Sequence, residues 1–169
     1  IADYRLNNFA QAEEILNELI NKEPENAYFH ELMGQMFRDS GRFDQAIKHY
    51  KLANQYDPAS ALIKMELGHV LLESERTDEN LRESVKYLKE ALHLEPLGYA
   101  FRLLATAYGR LEEHAKAKLY LAESGVLKND LYYARQQVES ALRELDEESS
   151  EYIRANDLLL LIKQKQENN

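Results

Sequence analysis

The chain of 169 residues contains no cysteine. That absence removes disulfides, thiolate metal sites and cysteine nucleophiles together, and leaves the redox compartment open. Prolines number three and glycines six. So few breakers in a chain rich in Ala, Leu, Glu and Lys predict helix almost throughout. Long hydrophobic runs are missing too. The longest unbroken apolar stretch covers residues 158–162, far below the roughly 20 residues of a membrane-spanning helix. There is no block of Lys and Arg: 21 basic against 30 acidic residues give a formal net charge of −9, which counts against nucleic-acid binding. With neither a signal peptide nor an initiator Met, the opening Ile1-Ala2-Asp3-Tyr4 reads as the middle of a longer protein. The length predicts one domain, and 44% apolar with 30% charged residues is a globular composition.

What the sequence does have is a period. Pro24 and Pro58 stand 34 residues apart, as do Gly34 and Gly68, and Pro96 follows Pro58 by 38. Each proline closes a unit. Pro58 is preceded by Ala53, Tyr50, Ala46, Phe43 and Gly41, then by Phe37, Gly34 and Met33. Leu19, Leu16, Ala12 and Phe9 precede Pro24 in the same order, and Ala91, Leu88, Ser84 and Leu81 precede Pro96. The four extra residues of that last unit fall in the polar stretch 73–80, a longer turn. Spacings of three and four mark amphipathic helices. Small residues (Gly34, Ala46, Ala53) let two antiparallel helices approach, large ones (Phe37, Phe43, Tyr50) fill the space beside them, and Pro ends the second helix. Asn26 and Ser60 stand at expected N-caps.

This pattern resembles the tetratricopeptide repeat (TPR), best in residues 26–58, with a departure at the first large position, where His30 stands. The resemblance implies an all-α fold: a right-handed superhelical α-α solenoid of about four to five helix pairs with a C-terminal capping helix. The expected units within a single domain 1–169 are a truncated first repeat 1–24, repeats 26–58 and 60–96, less regular repeats 98–146 and a cap 148–165. Helices are expected over 98–111 (Phe101, Leu104, Ala105 and Tyr108 inward), 115–127, 131–145 (Ala134, Val138 and Ala141 inward) and 150–164, with 163–169 frayed. The segment 115–127 fits either as second helix of one repeat or first helix of the next.

Four stretches are similar to a narrower group: "EPENAYFHELMGQMFRDSGR" from Glu23, "ALIKMELGHVLLES" from Ala61, "LATAYGRLEEHAKAKLYLAESGVLKNDLYYARQQVESAL" from Leu104 and "YIRANDLL" from Tyr152. Together they resemble the C-terminal TPR region of bacterial HExxH-type zinc metallopeptidases, relatives of the periplasmic protease that maintains outer-membrane β-barrel assembly. That resemblance implies a peptidase domain N-terminal to this chain, protein clients and a periplasmic location. Without it, the chain is expected to be a stand-alone scaffold or adaptor in a multiprotein assembly, and cytoplasmic.

Catalytic chemistry within the chain itself is not expected. Of His30, His49, His69, His93 and His114, no two are four apart, and position 34 is Gly where His30-Glu31 would need its second His. No cofactor or metal is expected here, zinc belonging only to the missing peptidase domain. Carboxylate pairs such as Glu13-Glu14 and Glu112-Glu113 lie on polar faces, and the serines form no nucleophile elbow.

Binding is expected in the concave groove, which in a TPR superhelix is lined by the first helix of each pair. The repeat frame places Tyr28, Glu31, Gln35 and Arg38 there, then Leu62, Met65, Glu66, His69 and Leu72, then Tyr99, Arg102, Thr106 and Arg110. Tyr and Arg dominate many interfaces, and Leu62, Met65 and Leu72 would add an adaptable apolar middle. The expected partner is a protein or peptide. The alternative is a frame displaced by one, with part of this set in the core. Glu31 and Gln35 occupy what resemble the first two positions of the clamp that grips chaperone C-termini, and a carboxylate there repels an acidic tail. In the last helix Tyr152, Ala155, Leu159 and Ile162 share one face. Tyr152, Leu158, Leu160 and Leu161 are candidates for docking a missing domain or a second copy, the alternative being a cap tucked into the stack. Ile15, Leu16 and Leu19 at the truncated edge add a route to a homodimer.

Overall fold

A computed structural model describes the backbone of residues 2–75 and 77–168 and the side chains from Asn8 onward. Among the described residues there are nine helices and no strand: α1 Ala2–Lys22, α2 Ala27–Asp39, α3 Phe43–Tyr56, α4 Ala61–Glu73, α5 Asp78–Leu94, α6 Gly98–Arg110, α7 His114–Leu127, α8 Leu131–Leu142 and α9 Ser150–Glu167. The starts follow from sequence. Side chains of Asn26, Ser60, Thr77, Asp130 and Ser149 accept from the backbone N–H of Tyr28, Ile63, Asn80, Tyr133 and Tyr152, satisfying donors the first helical turn leaves free.

Two kinds of turn connect them. Gly41, Glu112 and Asn129 each adopt positive φ, 76°, 61° and 58°, two residues past the ends of α2, α6 and α7. Beside each, the next N–H closes a six-residue loop: Arg42 to Phe37 O at 2.8 Å, Glu113 to Tyr108 O at 2.9 Å and Asp130 to Gly125 O at 2.9 Å. This is a Schellman stop, which reverses the chain sharply. The other turns, after α1, α3 and α5, carry Pro24, Pro58 and Pro96. Since α7 has a Schellman stop on both sides and packs closely on both α6 and α8, it is second helix to α6 and first helix to α8 at once. The double reading of residues 115–127 is thus a property of the molecule.

Helices pack on their neighbours in sequence, with further contact of α4 on α6 and α7 on α9. The core is accordingly three clusters laid end to end: Met33, Phe37, Tyr50 and Leu67 across α1–α4, Leu88, Leu104, Tyr108 and Tyr120 across α4–α7, and Leu119, Val138, Ala155 and Ile162 across α7–α9. Phe101, Leu104, Ala105, Tyr108, Ala134, Val138 and Ala141 are buried as their spacing predicts. Lys64 is buried and ties three helices, donating to Asn54 Oδ1 at 2.8 Å and Glu90 Oε2 at 3.2 Å.

Three expectations change. α9 runs to Glu167, so most of 163–169 is helical. At the first helix Ile15 is exposed, but Leu16 is buried beneath α2. No described helix is long and apolar enough to cross a membrane.

Candidate functional site

The first helices α2, α4 and α6 are joined along one surface by side chains from all three. Arg38 on α2 pairs with Glu66 on α4, and its Nη1 lies 3.5 Å from His69 Nδ1. His69 Nε2 shares a hydrogen bond of 3.2 Å with Tyr99 Oη on α6, the two rings meeting edge to face. The Arg102 guanidinium then lies over the Tyr99 ring, 5.1 Å from its centroid. Groove residues of three repeats thus form one connected strip.

Charge along the strip is uneven. Burial pushes the Glu31 carboxyl above its ordinary range, and the nearby charges of Glu66 and Asp57 add to the effect. Glu66 goes the other way. Burial works to raise it, but the hydrogen bond with His69 and the charge of Arg38 prevail and hold it below the usual carboxylate range. The α2–α4 end is therefore acidic with its one arginine committed, while Arg102 at the α6 end forms no ion pair among the described residues.

A second regularity runs across the strip. Helices α2, α4, α6 and α8 begin at Ala27, Ala61, Gly98 and Leu131. The second residue of each is large and exposed: Tyr28 at 59%, Leu62 at 52%, Tyr99 at 39% and Tyr132 at 72%. Tyr132 escapes the sequence frame because the repeat blurs beyond residue 112. The signal that finds it is its position, one residue into a helix capped by Asp130.

The remaining groove candidates divide. Gln35, Arg102, Thr106 and Arg110 are exposed, and Glu31, Arg38 and His69 half-buried. Arg110 Nη1 is engaged, donating to the Leu72 carbonyl at 2.5 Å, one of the acceptors that the end of α4 leaves free. Met65 and Leu72 are core residues, 7% and 4% exposed, packed in the α4–α7 cluster. The reason is geometric. α4 has a first helix on either side, so the flank carrying Met65 and Leu72 is covered by α6; the apolar middle expected there reduces to Leu62.

On α9, Ala155 and Ile162 are fully buried, Tyr152, Leu158 and Leu159 half-buried, and Leu160 and Leu161 exposed, as is Ile153. The helix is thus tucked into the stack and still carries an apolar outer edge. Among the described residues no three His, Asp or Glu side chains are grouped to hold a metal ion.

Comparison with known proteins agrees with this architecture. No curated protein sequence matches the chain significantly. A crystal structure of MamA superposes with a TM-score of 0.70 at 20% identity, over 96% of this chain and 86% of that one. The MamA RS-1 ArsTM double mutant does so with a TM-score of 0.67 at 17% identity, over 98% and 91%. At such identities the likeness is one of fold, and it carries no information about a peptidase domain. The family model described as tetratricopeptide repeat matches residues 4–134, which spans the hairpins, their close-approach glycines and the groove strip: the chain belongs to the tetratricopeptide repeat family.

Proposed function

We propose that this chain is a protein-interaction module that holds a polypeptide segment in the groove lined by α2, α4, α6 and α8. The observation that carries the reading is the row Tyr28, Leu62, Tyr99 and Tyr132, one large exposed side chain at the same place on each first helix. Isolated exposed apolar residues need no explanation; four at one repeat position do. Packed helices lie about 8–10 Å apart, and three residues of an extended segment cover about 9 Å. The row thus suits a segment with an apolar side chain at every third position.

In its finer form the reading places the groove beside a HExxH zinc peptidase domain preceding this chain in the periplasm, where it recruits or positions protein clients; this rests on the four stretches quoted above. The alternative is an adaptor without a peptidase. Coding sequence upstream of Ile1 separates the two: a HExxH helix and a signal peptide support the first, a start codon the second.

Peptide display on the purified chain tests the groove itself. Aromatic residues at interfaces often contribute about 2 kcal/mol, roughly 30-fold in affinity. Tyr99→Ala and Leu62→Ser are expected to weaken a selected peptide by at least about tenfold with the thermal midpoint unchanged. Unchanged affinity in both variants removes the groove reading.

A further inference from the structure

Between α6, α7 and the start of α8 lies a cavity of about 220 Å³. Arg102 of α6, Ser124, Gly125 and Lys128 at the end of α7, and Asp130 and Tyr133 of α8 line it. Its floor holds an anomaly. Ser124 is 3% exposed, and its Oγ is the one buried side-chain nitrogen or oxygen without a hydrogen-bond partner among the described residues. A helical serine ordinarily donates back to a carbonyl of the preceding turn, and a buried hydroxyl left unpaired costs free energy. The helices are close here: a Cβ on Gly125 would lie 3.1 Å from Ala134 Cβ and 3.2 Å from Tyr133 Cδ1.

The charges around that hydroxyl point one way. Neither Arg102 nor Lys128 forms an ion pair among the described residues. Asp130, the one carboxylate in the lining, is occupied as the α8 N-cap, accepting the Tyr133 N–H at 3.1 Å. In a protein of net charge −9, two unpaired cations converge on an unpaired buried donor. Arg102 also lies over Tyr99, so the cavity opens from the groove strip.

We propose that this cavity is a carboxylate subsite of the groove, in which Ser124 Oγ, Arg102 and Lys128 hold one carboxyl group of the bound polypeptide. The proposal rests on the groove reading and specifies its ligand. Drug-sized ligands occupy roughly 300–1,000 Å³, so this volume suits one side chain or a chain end. Guanidinium and hydroxyl donors match a carboxylate in shape as well as charge. A phosphate dianion fits less well, because two cations beside the Asp130 carboxylate leave a net charge of only +1. The acidic α2–α4 end repels the same group, so the subsite fixes the direction in which the segment lies.

The test uses the whole chain and a dodecamer selected on it by peptide display. Each Asp or Glu of that peptide is replaced in turn by Asn or Gln, and its C-terminal carboxylate by the amide. One replacement is expected to weaken binding by at least about tenfold, and the position identifies the source as side chain or chain end. The same replacement is expected to cost less than about twofold in Ser124→Ala and in Lys128→Gln, the signature of coupled groups. Ser124→Ala is expected to keep or raise the thermal midpoint. Should it fail to fold, Lys128→Gln, on the surface, carries the cycle alone. A peptide that binds, is lost on Leu62→Ser and shows no coupled replacement overturns the subsite and leaves the groove. So does tighter binding of a phosphoserine version than of the aspartate version. A peptide unaffected by any groove variant, or no selected peptide at all, overturns both.

Discussion

His30 Nε2 stands 2.9 Å from the carbonyl of Pro24. A carbonyl only accepts, so in the neutral ring the proton sits on Nε2 and Nδ1 is bare. His49 Nδ1, 3.2 Å from that bare nitrogen, must then be the donor. The rings stack at 5.4 Å, and adding a proton would set two N–H groups face to face. Burial first, then the charges of His30 and Lys48, push His49 down to about 4, with Glu13 opposing. The unfolded ring titrates near its ordinary 6.5. Between those values the unfolded chain takes up a proton that the folded chain refuses. The His49 contribution is therefore fully present above about pH 6.5 and is lost as the pH falls toward about 4. Discounted for a half-exposed ring, it is about 1–2 kcal/mol. Urea midpoints at about pH 7 and about pH 5 measure it: the acid loss is expected to be smaller in His49→Gln than in the parent, and equal losses would show that the pair is not the sensor. The sequence frame flags His30 only as a departure from the repeat. Its partner is 19 residues away on the next helix, and no spacing rule joins two histidines across a hairpin.

At the scale of the hairpin, the same substitution is expected to act in opposite directions at two glycines. A Cβ at Gly68 would lie 2.6 Å from Leu88 Cγ and 3.3 Å from the Ser84 carbonyl. There α4 and α5 are clamped together, Ser84 Oγ donating to the Gly68 carbonyl at 2.6 Å. Gly68→Ala is expected to cost about 1–3 kcal/mol, because overpacking outweighs helix propensity. Nothing lies within 4 Å of a Cβ at Gly109, so Gly109→Ala is expected to stabilise by up to about 1 kcal/mol. Chemical denaturation of both variants checks the signs; a shared sign would mean that space does not govern. The periodicity of Gly34 and Gly68 made these close approaches legible. It fades later for a physical reason. The eighth residues of α2, α4, α6 and α8 are Gly34, Gly68, Ala105 and Val138, so close contact at that position is progressively given up. It passes to Gly125 of α7 against Ala134, a place the repeat does not mark. The groove was legible to the same extent. Tyr28, Leu62 and Tyr99 are where the frame puts them, whereas Met65 and Leu72 share their phase and differ only in having a neighbouring helix over them, which no single-helix pattern encodes.

For the whole molecule, end-to-end clusters make stability local. In a stacked solenoid each unit is held by its own contacts and those of its neighbours, so damage at one end need not spread to the other. α9 is the sharpest place to test this. Its inner face buries Ala155 and Ile162 completely. Arg154 also pins it to α7, donating to both oxygens of the buried Glu123 carboxylate at 2.5 and 2.8 Å. Two residues from Ile162, Leu160 lies on the exposed side. Ile162→Ala removes buried methyl groups and is expected to cost about 2–4 kcal/mol. Leu160→Glu, replacing an exposed side chain, is expected to stay within about 0.5 kcal/mol. Amide hydrogen exchange distinguishes a modular from an all-or-none molecule. Ile162→Ala is expected to speed exchange in α8 and α9 and leave α2 to α5 at their parent rates. Equal acceleration in all helices would mean that the three clusters fold as one block. Leu160→Glu, neutral for the isolated chain, then reports on the outer edge. If that edge docks a second copy or an adjoining domain, the substitution shifts sedimentation of the assembly while the exchange pattern of the chain stays that of the parent; an unchanged assembly removes docking through Leu160.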